Sequence, residues 1–350
     1  MFKLNINENV YINNFFLIIM AATIKEIAKK AKVSIATVSR ALNNDEKVKP
    51  ETRDLIKAIA DELDYNPNIL ARNFVKQKSN IIGLVLPDIF DEFFTEVIKG
   101  VEQHCFSEGY YTMVTSSHSK KTTVEAIVDF MSTGLVGGII MMAPAIGDNI
   151  KDLIRKSTVP FVIINGKKDI VNTDSINIDN YSGSFEMTEY LIKKGYKKIA
   201  HITGARDNVD AEERLRGYTD ALKKYNIKVN KNWIVEGAFT IESGVEGFNV
   251  INRLKNRPEV IFAANDMMAI GCYNAARKAG VKIPSEIGIA GFDGIFMSEY
   301  LTPRLTTIQV PIYDLGVNAA KILLKRIIGE RNNKPQHIKI QVKLIEGSSC

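Results

Sequence analysis

Between residues 80 and 350 the chain repeats one pattern: a short, almost wholly apolar run, then a longer stretch with helical periodicity. The runs are Ile81–Leu86, Tyr111–Val114, Gly138–Met142, Phe161–Ile164, Ile199–Ile202, Val260–Ala263 and Ile287–Ala290. A strand with one wet face alternates apolar and polar residues, whereas a run apolar at every position suits a parallel strand covered by helices on both faces. The expected fold over 80–350 is therefore an α/β core of two doubly wound lobes.

Composition excludes two other classes. The chain has 350 residues, 45% of them apolar and 25% charged, as in ordinary globular proteins, so a disordered chain is ruled out. The densest apolar cluster before the core, Phe15–Met20, is too short to span a bilayer, and no membrane association is expected. Residues 1–20 also lack the basic leader of an export signal, and they read as an extension ahead of a natural start at Met20. Cys105, Cys272 and Cys350 are odd in number and far apart, which argues against a disulfide framework and for a cytoplasmic location. His104, His118, His201 and His337 are equally scattered, so no metal site is expected. Neither a glycine-rich phosphate cradle nor a Gly-x-Ser-x-Gly elbow is present; the chain reads as a non-enzyme without a cofactor.

The net charge of +6 is concentrated near the start. Residues 21–78 hold twelve Lys/Arg against eight Asp/Glu, which points to a polyanionic partner. Thr23-Ile24-Lys25-Glu26 has the spacing of a capping box and predicts a helix with Ile24, Ile27, Ala28 and Ala31 on its apolar face. Ser34 can cap a second helix, reaching about Leu42, in which Val38 and Leu42 face the first. Ile35, Ala36, Thr37, Ser39 and Arg40 then point outward, where short polar groups and one guanidinium can meet base edges and phosphates. A third helix opens at Lys49-Pro50, with Leu55, Ile56, Ile59, Ala60 and Leu63 on its buried face. The segment beginning Asn66-Pro67 predicts a fourth helix of about eight residues, too short to be stable alone.

Thr23–Ala28, the set Val33-Ser34, Thr37-Val38-Ser39-Arg40, and the set Asn66-Pro67, Ala71-Arg72 together resemble the lactose-repressor/purine-repressor family of bacterial transcription regulators. The resemblance implies a helix-turn-helix head at 21–65, a hinge helix and linker at 66–79, and a two-lobed effector-binding and dimerisation core at 80–350 of the periplasmic-binding-protein type I kind. It implies lobe crossings near 179, 310 and 340. Expected DNA-contacting residues are Thr23, Ser34, Ile35, Ala36, Thr37, Ser39, Arg40 and Asn43 in the head, and Asn68, Ala71, Arg72 and Phe74 in the hinge. Phe74 stands where the family usually has the leucine that wedges into the minor groove.

Ligands in doubly wound sheets bind beyond the carboxyl ends of the strands, and there this sequence gathers Asp88, Phe93, Phe94, Asn165, Asn208, Asp210, Arg214, Phe239, Asn265, Asp266 and Asp293. Aromatic faces with Asp, Asn and Arg suit a polyhydroxylated ligand. Asp266 reads instead as the cap of the helix that follows it. The resemblance assigns effector contacts to Phe93, Phe94, Asn165, Asn208, Asp210, Arg214, Phe239, Asn265 and Asp293. Nucleobase-binding relatives carry Arg and Thr where this chain has Asn208 and Asp210, which favours a sugar. Arg214 and Asp293 are expected in separate strand-end loops that converge when the lobes close on ligand.

The expected protein is a ligand-responsive repressor that binds an inverted-repeat operator in double-stranded DNA as a homodimer and is switched by a small sugar. The alternatives are an activator of the same architecture and a nucleobase-responsive corepressed repressor. A periplasmic sugar-binding protein leaves the basic head unexplained, and a sugar-processing enzyme needs an acid/base pair that no spacing provides.

Overall fold

The computed structural model describes residues 23–65, 79–87, 89, 91–116, 125, 127, 134–142, 148–166, 173–329 and 334–350. The chain divides into two compact units, one up to Gln77 and one from Lys78 onward.

The first unit packs α1 (Ile24–Ala31), α2 (Ile35–Leu42) and α3 (Pro50–Glu62) around Ile27, Val38, Ala41, Ile56 and Ile59. The capping box forms: the Thr23 hydroxyl accepts from the Glu26 amide, and the Glu26 carboxylate accepts from the Thr23 amide at 2.6 Å. Lys32, in the left-handed region at φ 53°, ends α1 and turns the chain toward α2. One expectation about buried faces needs correction. Val38 and Ala41 are fully buried and Leu42 packs partly buried against the same core, but Leu55 is half exposed. Leu55 precedes Ile56 by one residue, about 100° around the helix, and so falls outside the stripe made by Ile56, Ile59 and Ala60.

In the second unit, the first lobe contains β1 (Ile81–Leu86), α4 (Glu92–Ser107), β2 (Tyr111–Ser116), β3 (Gly138–Met142), α5 (Asp148–Lys156), β4 (Phe161–Ile164) and β5 (Asp174–Ile178). The second lobe contains α6 (Asn180–Lys193), β6 (Ile199–Ile202), α7 (Val209–Lys224), β7 (Ile234–Val235), α8 (Ile241–Asn252), β8 (Val260–Ala263), α9 (Asp266–Lys278) and β9 (Gly288–Ala290). The chain then runs through β10 (Thr307–Gln309), returns to the first lobe as α10 (Ile312–Ile327) and β11 (His337–Ile340), and crosses again to end beside β10 as β12 (Lys343–Ile345). It passes between lobes at Asp179, at 310–311 and at 341–342. A 2.6 Å ion pair from Lys339 to Asp179, with the Asp179 amide donating to Ile340 O, ties the first and third passages together.

Both main sheets are parallel, in the orders β11-β5-β4-β3-β1-β2 and β7-β6-β8-β9. In each, the first strand of the lobe (β1 or β6) lies between the next two of its sheet in chain order, so the strand order reverses there and opens a crevice at the carboxyl end. Helices cover the faces: α4 pairs with α10, α6 with α7, and α8 with α9. Gly100 and Gly316 let α4 and α10 touch backbone to backbone, since a Cβ on either would collide with a carbonyl of the other helix. One expectation about the strands fails. β2 is not covered on both faces but forms the sheet edge, and Tyr111, Met113 and Val114 are exposed.

Candidate functional site

The head presents the outer face of α2. Ser34 caps the helix, its Oγ accepting from the Thr37 amide at 3.1 Å and lying 2.9 Å from Thr37 Oγ1. Val38 and Ala41 hold the helix to its neighbours, which leaves Ser34, Ile35, Ala36 and Arg40 exposed and Thr37 and Ser39 half exposed. Ile35 is an exposed apolar side chain on the first residue of the helix, where an aqueous surface alone gives it no partner. Asn43 ends α2 with its side-chain amide donating to Ser39 O at 2.8 Å, and Thr23 is exposed at the start of α1. Asn68, Ala71, Arg72 and Phe74 lie outside the described residues, as does Asp88.

Between the lobes of the second unit, at the carboxyl ends of both sheets, lies a cavity of about 510 Å³. All nine side chains expected at an effector site line it. Phe93 and Phe94 come from the first turns of α4 and Asn165 from the end of β4; Asn208, Asp210 and Arg214 come from the start of α7; Phe239, Asn265 and Asp293 come from the ends that follow β7, β8 and β9. Phe93 is also core, packed against the first lobe, and Phe94 meets its edge with ring centroids 5.5 Å apart.

The floor is a buried polar network. Arg214 donates through Nε to Asn180 Oδ1 at 2.8 Å and through Nη1 to the Ala264 carbonyl, and its Nη2 stands 3.0 Å from Asp293 Oδ1. Phe292 lies against the guanidinium face, 3.8 Å from ring centroid to Cζ. Asp210 accepts from Asn165 Nδ2 at 3.0 Å and from Asn180 Nδ2 at 2.7 Å, and the Ile178 amide donates to Asn165 Oδ1 at 3.1 Å. Because Asn165 belongs to the first lobe and Asp210 to the second, this bond spans the cleft. Burial disfavours the charged carboxylate: Asp210 is pushed up to about 6 and Asp293 to about 7, with the nearby Arg214 charge opposing both shifts.

Arg214 and Asp293 do not sit in loops that wait to converge. Arg214 is in the second turn of α7, both residues belong to the second lobe, and they are already paired. Asp266 is not the helix cap either. Asn265 caps α9, its Oδ1 accepting from the Met268 amide at 2.9 Å. Asp266, fully buried, accepts from the Gly294 and Ile295 amides at 2.8 and 3.0 Å and from the Thr307 hydroxyl at 2.6 Å. It thereby holds the loop that carries Asp293, and burial together with the Asp293 charge raises its pKa well above the usual carboxylate range.

Three lining residues have left-handed backbones: Asn165 (φ 54°), Phe239 (φ 63°) and Asp293 (φ 110°). For residues with a Cβ these conformations are strained, and such strain gathers at functional sites. Gly204 makes room for Phe239, since a Cβ there would collide with the far edge of the aromatic ring.

Asn180 is the contact that sequence reasoning missed, although it links Arg214 to Asp210. The strand-end rule applied to β5 finds it, but β5 itself is hidden by polar residues. Asp174, Ser175 and Asn177 are each satisfied inside the fold, by Arg326, His337 and the Gly166 amide. Among the described residues no group of His, Cys, Asp and Glu is placed to hold a metal, and no helix is long and apolar enough to cross a membrane.

Known proteins match both units. Residues 23–68 match the family described as bacterial regulatory proteins, lacI family, and residues 188–350 match the periplasmic binding protein-like domain. The chain is similar to the HTH-type transcriptional repressor CytR of Escherichia coli (strain K12), with 32% identity over 94% of this chain and 96% of that protein. Among solved structures it is similar to the transcriptional regulator CelR–cellobiose complex, with 25% identity, a TM-score of 0.72, and 94% and 100% of the two chains covered. It is also similar to a LacI family transcriptional regulator from Enterococcus faecium with bound ribose, with 27% identity, a TM-score of 0.69, and 77% and 98% covered.

Proposed function

The chain belongs to the lacI family of bacterial regulatory proteins, and from that premise we propose that it is a transcriptional repressor whose grip on an operator is set by a small sugar in the interlobe cavity. The Arg214–Asp293–Asp210 floor carries this reading. It offers carboxylate acceptors, held in place by Arg214, beneath the aromatic walls Phe93, Phe94 and Phe239, the combination that vicinal hydroxyls and C–H faces require. Two similar regulators are described with cellobiose and ribose bound, which favours a sugar over a nucleobase.

On the DNA side, α2 enters the major groove with Ser34, Ile35, Ala36, Thr37, Ser39 and Arg40, flanked by Thr23 and Asn43; Asn68, Ala71, Arg72 and Phe74 act from the hinge. The working form is a cytoplasmic homodimer. Exposed Phe106, Tyr111, Met113 and Val114 on one lobe and Phe296, Met297 and Tyr300 on the other are apolar surface suited to burial between subunits.

The test is selection of DNA sequences by the full chain, followed by footprinting with and without candidate sugars. The expected result is an inverted repeat protected at two half-sites and an affinity that one sugar changes at least about tenfold, within the usual coupling range. A single asymmetric half-site overturns the dimeric reading, and an affinity that no sugar alters overturns the sugar switch.

A further inference from the structure

The cavity holds four acidic side chains, Asp91, Asp210, Glu242 and Asp293, against one cation, Arg214, among its described lining residues. Four helices begin at this cavity, and their free amides are where a phosphate or carboxylate would be held. A side chain of the protein already caps each helix and takes one or two of these amides. Asp91 Oδ1 accepts from the Phe94 amide at 3.1 Å, Asn208 Oδ1 from the Asp210 and Ala211 amides at 2.9 and 3.1 Å, Thr240 Oγ1 from the Ser243 amide at 3.2 Å, and Asn265 Oδ1 from the Met268 amide at 2.9 Å. Arg214 is engaged by Asn180, Ala264 and Asp293. What the floor still offers is an acceptor: the Asp293 carboxylate lines the cavity beside its ion pair with Arg214.

Resting on the reading of this cleft as the effector site, we propose that it selects uncharged or positively charged ligands rich in hydroxyl or amino donors and rejects their phosphorylated and carboxylated counterparts. A ligand hydroxyl donating to Asp293 completes the network. An added phosphate meets capped helix ends and like charge, including Glu242 exposed at the rim.

The test is calorimetric titration of the full chain with matched pairs: ribose and ribose 5-phosphate, glucose and glucose 6-phosphate, cellobiose and cellobiose 6-phosphate, adenosine and adenosine 5′-monophosphate, with glucosamine and glucuronate added. In every pair that binds, the neutral member is expected to bind at least about tenfold more tightly. Glucosamine is expected to bind at least as well as glucose, and glucuronate at least about tenfold more weakly. A phosphorylated or carboxylated member that binds as tightly as its neutral partner overturns the charge selection and leaves the sugar reading standing. Binding confined to the adenosine pair, neutral member first, overturns the sugar reading and leaves the charge selection standing; no binding by any member overturns both.

Discussion

Arg214 Nη2 and Asp293 Oδ1 lie 3.0 Å apart in the floor of the cleft, on the same lobe and almost fully buried. Ligand therefore does not have to bring them together. The bond from Asn165 to Asp210 spans the lobes, as do the bonds from the Phe296 and Met297 amides to the Glu92 carboxylate, and these break when the lobes separate. The pair forms a preset platform, and these cross-lobe bonds are what opening must give up.

Breaking the platform should cost stability as well as binding. Arg214→Ala strands Asp293 and removes the bonds to Asn180 and Ala264, so unfolding should become easier by about 3–5 kcal/mol. Asp293→Asn keeps the shape, and because burial already holds that carboxyl half neutral near pH 7, it should cost far less stability while still weakening ligand binding. Urea unfolding beside ligand titration separates the two; equal destabilisation by both variants refutes the platform.

Ligand affinity should depend on pH through Asp293. Its pKa of about 7 lies above the usual carboxylate range, so below pH 7 the cleft must release a proton before the carboxylate can accept a ligand hydroxyl. Affinity should fall by up to about tenfold per unit of pH below 7, and Asp293→Asn should flatten the profile. Titrations from pH 6 to 8 check this, and a flat parental profile contradicts it.

His201 sets a separate acid limit. It is fully buried between Tyr218 and Phe262, and burial pushes its pKa down to about 4. Its neutral form thus stabilises the fold fully above the unfolded value of about 6.5, and that contribution is lost as pH falls toward 4, by roughly 3 kcal/mol in all. Asp210 and Asp293, raised rather than lowered, act in the opposite direction over the same range. The difference between parent and His201→Phe isolates the histidine: acidification from pH 6.5 to 4 should move it steadily in favour of the variant. A constant difference rules the effect out.

Gly204→Ala tests the aromatic wall. The new methyl group must displace the Phe239 ring, so ligand affinity should fall at least about tenfold while the head's DNA contacts are untouched. Unchanged ligand binding shows that Phe239 is not a ligand contact.

In the head, Ser34→Ala and Arg40→Ala should fail differently. Ser34 caps α2, so its loss should destabilise the unit by about 0.5–2 kcal/mol. Arg40 is exposed, so Arg40→Ala should leave melting unchanged and weaken operator binding by about 1–3 kcal/mol. Melting and DNA titration of each variant decide it, and an Arg40→Ala protein that binds operator normally removes that residue from the interface.

Local sequence was enough for features that depend on near neighbours. The capping box at Thr23–Glu26, Ser34 as a cap, Pro50 opening α3, and the apolar parallel strands are all local, and they determined both the helical head and the two-lobed α/β core. The cleft residues were legible because ligands gather beyond strand ends wherever the strand order reverses. What sequence spacing could not determine was which of those residues touch. Arg214 and Asp293 are far apart in the chain and meet because α7 and the end of β9 flank the same sheet. Asn180 joins them because the chain crosses lobes just before it, and β5 escaped notice because its polar residues are satisfied by Arg326 and His337, more than 150 residues away. Spacing records what neighbours along the chain can do, but a buried charge is placed by whichever distant partner offsets its lost hydration, and only the tertiary structure supplies that partner.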